Sequence, residues 1–208
     1  MRKKKFFFIV FEGIEGTGKS YQINKLYNNL KKQGYDLLKT REPGGSKTAE
    51  KIRNLIFSKT SNKFDPLTDY YLMNAARNEH VKKTLLQARL KKKIIISDRF
   101  VDSTYAYQVT ANNINKKINL MNQQYILKNL KPNLTIVLKA SLKTVFSRIK
   151  KRKKNNKFDK LKTSFYRKAQ NAFLYLAKKN KNYLIFDSSE NTAKLEKIIL
   201  SAVLKKIN

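Results

Sequence analysis

Gly13-Ile14-Glu15-Gly16-Thr17-Gly18-Lys19-Ser20 follows six apolar residues, Phe6-Phe7-Phe8-Ile9-Val10-Phe11, and precedes an amphipathic run over residues 21–30. The order is strand, glycine loop, helix, and the loop fits the pattern G-x-x-x-x-G-K-[ST]. Its glycines let successive backbone N–H groups turn inward around phosphate oxygens. A helix starting near Lys19 brings the positive end of its dipole to the same place. In such a loop the lysine reaches the outer phosphates and the serine hydroxyl ligates magnesium. Residues 13–20 are therefore expected to bind a nucleoside triphosphate; the alternative is an ordinary glycine-rich turn.

The size and composition narrow the class. A chain of 208 residues with 41% hydrophobic content has room for one α/β domain over residues 1–208 and a real core. The longest apolar runs are strand-length, so no membrane span is expected. The apolar run after the basic Met1-Arg2-Lys3-Lys4-Lys5 start is only six residues long before Glu12 and leads straight into the phosphate loop, so no export peptide is expected. The absence of cysteine excludes disulfides and thiolate metal sites and fits a reducing cytoplasm.

The net charge of +33 raises the question of nucleic acid. Only nine of the 47 basic residues are Arg, and Lys, Asn, Ile, Phe and Tyr, all with A/T-rich codons, abound while Trp is missing. The Lys residues are scattered rather than gathered into a stripe with interleaved aromatics. That pattern indicates compositional bias of an A/T-rich genome, with nucleic acid bound only nonspecifically through excess Lys at low salt.

Strand patterns alternate with longer helical ones. Beyond the first strand, residues 35–40, 94–96 running into Ser97-Asp98, 134–138 and 183–186 read as strands. Ser46 is placed to cap a helix over residues 47–58, and Asp65-Pro66 to open one long helix over residues 67–90. Continuous apolar strands separated by helices predict a parallel sheet covered on both faces. The highly charged residues 150–162 read either as a solvated loop or as a lid over the triphosphate.

Further motifs narrow the substrate. Phe11-Glu12-Gly13 with the phosphate loop, Arg41-Glu42-Pro43-Gly44-Gly45, Ala75-Ala76-Arg77, Asp98-Arg99-Phe100 and Ser103-Thr104-Tyr105-Ala106-Tyr107-Gln108 together resemble the bacterial thymidylate kinases, from residue 6 to about residue 187. That resemblance implies a P-loop NTPase fold with a five-stranded parallel sheet and a helical lid. It also implies transfer of the ATP γ-phosphate to thymidine monophosphate (dTMP), giving dTDP and ADP for dTTP synthesis, and a homodimer.

Within the resemblance, residue chemistry assigns roles. Asp98, at the C-terminal end of a strand beside the loop, is expected with Ser20 to hold magnesium; its alternative is a helix N-cap. Arg77 and Arg99 are candidate clamps for the acceptor phosphate, because guanidinium grips phosphate bidentately. The resemblance assigns Glu15 to the acceptor's deoxyribose or the magnesium region and Glu42 and Arg53 to the acceptor side. It brings Thr104 and Gln108 to the thymine edge, and Tyr107 beside the sugar, where a ring would crowd a 2′-hydroxyl. Arg148 and Arg152, four apart on one helix face, are expected to supply positive charge over the transferring group. Lys19, Arg99, Arg148 and Arg152 thus form the expected catalytic set, and His80 is expected to be structural. Met73 stands where the family usually has a thymine-stacking phenylalanine, Val109 replaces a glycine, and Asp159-Lys160 replaces an Asp-Arg pair in the lid. The rival classes are a kinase for another nucleotide, a nucleic-acid-stimulated ATPase and an inactive relative.

Overall fold

A computed structural model describes residues 5–58, 64–151, 162–190 and 192–207. Five strands form a single parallel sheet in the order β2-β3-β1-β4-β5. They are β1 (Phe7–Glu12), β2 (Leu37–Arg41), β3 (Ile94–Asp98), β4 (Leu134–Lys139) and β5 (Tyr183–Asp187). Every residue of central β1 is buried, whereas edge strands β2 and β5 are only half covered. The strand pattern of the sequence therefore survives, with boundaries shifted by a residue or two.

Alternation along β1 divides the core. Phe7, Ile9 and Phe11 face helix α1 (Lys19–Lys32), through Ile23, Leu26 and Leu30, and helix α9 (Ala193–Ile207), through Leu195, Ile199 and Val203. Phe8 and Val10 point to the other face and meet Val81, Leu85 and Phe100. Successive strand residues alternate faces, and α1 presents apolar side chains three and four apart. Each buried Leu or Ile contributes about 1.5–3 kcal/mol of transfer free energy. Gly34, at φ 80°, follows the end of α1.

Helix α2 (Lys47–Ile56) begins at Ser46, whose side chain accepts from the Ala49 amide at 3.2 Å, so the predicted cap forms. Helix α3 (Pro66–His80) is capped by Asp65, which accepts from the Leu67 amide at 2.8 Å, with Pro66 in the first turn. The single helix expected over residues 67–90 is interrupted. A π-helical turn, Val81–Leu85, separates α3 from α4 (Leu86–Leu90). Val81, Leu85 and Ala88 still face the core together, so a widened turn leaves no trace in the hydrophobic spacing.

After β3 come α5 (Val101–Thr104) and a second π-helical stretch, Tyr105–Ala111. Then follow α6 (Lys116–Leu127), α7 (Leu142–Lys150) and α8 (Thr163–Lys178). Most of the expected lid, with Arg152, Asp159 and Lys160, lies outside the described residues. Among the described residues no helix is long and apolar enough to cross a membrane.

Candidate active site

The glycine loop leaves the C-terminal end of central β1 and enters α1, so the first N–H groups of that helix converge where the strands end. Gly13 sits at φ 131°, and a Cβ there would collide with the Leu138 carbonyl oxygen. Only glycine lets the loop pass β4 this closely. The Thr17 hydroxyl donates to the Ile14 carbonyl at 2.8 Å, and the Ser188 hydroxyl donates to the Thr17 carbonyl at 2.7 Å. Ile14 buries its side chain with Val137, Val145 and Tyr166, so it serves the loop through its main chain. Lys19 donates to the carbonyls of Gly13 and Ile14, both at 2.8 Å. Burial and the nearby Arg99 push its ammonium down to about 8, against the pull of Asp98, Glu15 and Glu12. An added phosphate charge reverses that depression.

Ser20 Oγ donates to Asp98 Oδ2 at 3.2 Å, while Asp98 Oδ1 is buried with no hydrogen-bond partner among the described residues. A hydroxyl and a carboxylate with an unused buried oxygen suit a hard divalent cation. No cluster of three or more His, Cys, Asp or Glu suited to a metal occurs among the described residues. The pair therefore fits magnesium held mainly by water and phosphate oxygens. A cavity of about 350 Å³ opens beside Ser20 and Asp98 toward Lys39, Arg41 and Thr84; its lining includes none of Met73, Arg77, Thr104, Tyr107 or Gln108.

Arg99 ties the loop to the other half of the site. Its backbone is at φ 75°. Nη1 donates to the Gly13 carbonyl and to Ser103 Oγ, each at 3.0 Å, and Nη2 donates to Glu15 Oε1 at 2.7 Å. Glu15 Oε2 accepts from the Tyr107 hydroxyl at 2.8 Å. Burial would raise the Glu15 carboxyl, but Arg99, Lys19 and Tyr107 together hold it below the ordinary value. The Tyr107 ring stacks near Phe165, with centroids 5.8 Å apart, and lies 5.2 Å from the Arg99 guanidinium carbon.

Arg77, on α3, is buried and braced. Nε donates to Glu42 Oε2 at 2.7 Å, Nη1 to Thr104 Oγ1 at 2.8 Å and Nη2 to the Phe100 carbonyl at 3.0 Å. The other Glu42 oxygen lies 2.9 Å from His80 Nδ1, whose partner nitrogen lies 2.7 Å from Thr40 Oγ1. Burial opposes the Glu42 charge, and Arg77 and His80 override it, so the carboxyl is held low. His80 is thus fully enclosed with both ring nitrogens partnered. Met73, Thr104 and Gln108 are also buried, Thr104 against Arg77.

The guanidiniums differ in how far they are already committed. Among the described residues Arg77 and Arg99 each make three hydrogen bonds to protein, whereas Arg53 makes one, from Nη1 to the Pro43 carbonyl at 2.7 Å, and lies over the Phe57 ring. Arg53 feels Asp98 and Arg99, and burial followed by Arg41 lowers its pKa. Of the three it has the most N–H groups free for an incoming anion. The sequence names Arg77 and Arg99 as candidate clamps; among the described residues Arg77 is bonded to Glu42, Thr104 and Phe100, while Arg53 is bonded to Pro43. Arg148 donates to the Gly16 carbonyl at 3.3 Å and the Ser189 carbonyl at 2.6 Å. It therefore stitches the loop to the turn after β5, apart from Arg77 and Arg53.

Several participants carried no role in the sequence reading. Glu12, Ser103 and Asp102 lie buried behind Arg99, and Ser188 and Ser189 hold the far side of the loop. Glu12 left a signal, a carboxylate ending an otherwise apolar strand; Ser188 and Ser189 left none, because their partners Thr17 and Arg148 lie 171 and 41 residues away.

A glycine loop on a central parallel strand, with lysine inside and a serine–aspartate pair in front, is how P-loop proteins grip a nucleoside triphosphate. This chain has that apparatus in a five-stranded sheet, and an enclosed guanidinium network faces it. A family model described as Thymidylate kinase matches residues 11–199. A thymidylate kinase of Mycoplasma capricolum is 36% identical over 203 residues, covering 96% of this chain and 95% of the relative. One of the Aster yellows witches'-broom phytoplasma is 37% identical, covering 92% and 94%. The crystal structure of thymidylate kinase from Ehrlichia chaffeensis superposes with a TM-score of 0.77 at 27% identity, over 97% of this chain and 99% of that one. The chain belongs to the thymidylate kinase family.

Proposed function

We propose that the protein transfers the γ-phosphate of ATP to dTMP, giving dTDP and ADP, with magnesium bound. The observation that carries this reading is Arg99, whose guanidinium bonds the phosphate loop at Gly13 and Glu15 and joins it to Ser103 in the segment after β3. A cation so tied neutralises charge between two anionic nucleotides brought tip to tip.

The main-chain amides of residues 13–20 and Lys19 hold the donor phosphates. Ser20 and Asp98 hold magnesium, which neutralises phosphate charge when bound. Arg53 grips the acceptor phosphate through its open fork. Arg77 fixes Thr104 toward the base, with Gln108 and Met73 alongside, and Tyr107 fills the space beside the sugar. Acceleration comes from positioning and preorganised charge, with no covalent enzyme intermediate. Arg148 holds the loop's donor side; the segment expected to act as a lid, residues 150–162 with Arg152, lies mostly outside the described residues.

We further propose a cytoplasmic homodimer. Its support is the lack of cysteine and a set of exposed apolar side chains, Leu67 and Tyr71 on α3 with Met121 and Tyr125 on α6, two helices that pack together. The test is a panel of nucleoside monophosphate acceptors with labelled ATP, with and without magnesium. dTMP is phosphorylated in strong preference, and only with the metal. Equal use of other acceptors, or ATP hydrolysis stimulated by nucleic acid without acceptor phosphorylation, would refute the reading.

A further inference from the structure

Glu12 takes no part in the transfer as just described. It ends the apolar central strand and is fully buried, where a carboxyl group needs partners. Its partners all lie in the segment after β3. The Phe100 amide donates to Oε1 at 2.8 Å, the Ser103 amide to the same oxygen at 3.2 Å, and the Ser103 hydroxyl to Oε2 at 2.7 Å. That segment contains Arg99 in its left-handed conformation, an arrangement that surrounding bonds must hold. The Arg99 amide donates to the Phe11 carbonyl at 2.9 Å, and the Arg99 carbonyl accepts from Ser97 Oγ at 2.8 Å.

The side chains continue the same path. Ser103 has one hydroxyl proton. Given to Glu12, it leaves the oxygen lone pairs for Arg99 Nη1, which donates to them at 3.0 Å. The guanidinium then reaches Gly13 and Glu15.

We propose that Glu12 is a positioning residue: through the Phe100 amide and the Ser103 hydroxyl it fixes the Arg99 guanidinium against the phosphate loop. What Arg99 is positioned for rests on the phosphotransfer reading above. Burial, with Asp102 adding repulsion and Arg99 opposing it, raises the Glu12 carboxyl to about 8, so a comparison of ionised Glu12 with its amide belongs at pH 9.

The experiment compares wild type, Ser103→Ala, Glu12→Gln, Arg99→Lys and the two double variants with Arg99→Lys. Glu12→Gln keeps an acceptor for the two amides and reverses only the bond to Ser103. Each of Ser103→Ala and Glu12→Gln lowers kcat/KM for dTMP by about tenfold or more, as misplacement of a catalytic group does. In the Arg99→Lys background neither adds a further loss, because the three residues act as one unit. Nitrogen NMR of the Arg99 guanidinium gives a readout independent of turnover: its N–H exchange is slow in wild type and fast in both single variants. Losses that multiply in the Arg99→Lys background, or unchanged Arg99 exchange in both variants, overturn the proposal. A wild-type protein that phosphorylates no nucleotide refutes the assigned activity, while the NMR comparison still decides whether Glu12 holds Arg99. Should Glu12→Gln fail to fold, Ser103→Ala, which deletes a single oxygen, carries both measurements.

Discussion

Replacing Arg53 and Arg77 separately by alanine separates an anion grip from a structural brace. The Arg77–Glu42 pair is almost fully buried, its side chains 4% and 3% exposed, and Arg77 also supplies Thr104 and Phe100 with donors. Removing one partner of such a pair costs about 3–5 kcal/mol, because the other charge stays buried. His80 remains beside Glu42, which favours the lower half of that range. At about 2–4 °C per kcal/mol for a domain of this size, Arg77→Ala lowers the melting temperature by about 6–16 °C. Arg53 is half-buried, with one bond to a carbonyl that water can replace and a ring contact at 4.7 Å. Losing these costs about 1 kcal/mol, or about 2–4 °C. Losing a charge-assisted bond to phosphate costs about 1.5–3 kcal/mol, which is about 10–150-fold in kcat/KM for dTMP. The assays are thermal melts of both variants and steady-state kinetics with dTMP varied at saturating ATP. An Arg53→Ala enzyme within about twofold of wild type in dTMP kcat/KM, or an Arg77→Ala protein that melts within about 2 °C of wild type, refutes the division of labour.

Glu12 has a raised folded-state pKa, about 8 against 4.5, so the native protein holds an extra proton between those values and stability falls as pH rises through that window, by up to about 1.4 kcal/mol per unit. Denaturant melts from pH 5 to 9 should show that decline, and Glu12→Gln should flatten it; an unchanged slope counts against the assignment. Gly13→Ala places a Cβ against the Leu138 carbonyl at φ 131° and should cost several kcal/mol and most nucleotide binding, as calorimetry with ATP would register. Tyr107→Phe removes the donor to Glu15 Oε2 and should lower stability by about 1 kcal/mol, while the retained ring keeps the preference for dTMP over its ribose counterpart; lost sugar discrimination in this variant would contradict the steric account. Chelation of magnesium should abolish turnover, and Asp98→Asn should raise the magnesium concentration needed for half-maximal rate; an unshifted requirement would remove Asp98 from the metal site.

The sheet, the phosphate loop and the caps at Ser46 and Asp65 were legible because their causes are local. Apolar runs, a glycine spacing and an N-cap side chain act within a few residues. The commitments of the arginines were not legible, because they depend on contacts across the fold. Arg77 meets Glu42 from 35 residues away, Arg99 meets Glu15 from 84, and Arg148 meets Gly16 from 132. Reading a guanidinium in the sequence as a candidate phosphate ligand does not tell which of its donors the protein already holds. The π-helical turn at Val81–Leu85 was hidden for another reason, since the apolar spacing on either side remains helical.

The arginines gain meaning from their own background. With 47 basic residues and only nine of them Arg, positive charge as such is never scarce here, and lysine serves wherever charge alone suffices. A planar fork is what arginine offers beyond charge. Arg77 engages a carboxylate, a hydroxyl and a carbonyl, Arg99 a carbonyl, a hydroxyl and a carboxylate, and Arg148 two carbonyls; each satisfies several fixed acceptors that an ammonium on a flexible stem does not span. Arg41 does the same at the surface, meeting both oxygens of Glu50 at 3.3 and 2.8 Å. Among the described site arginines, Arg53 alone has a fork and a single acceptor. Fork geometry that the protein itself leaves unfilled is what a bidentate anion requires. Arg53→Lys, which keeps the charge and loses the fork, should therefore recover only part of the dTMP kcat/KM lost in Arg53→Ala; full recovery would mean that charge alone matters at this position.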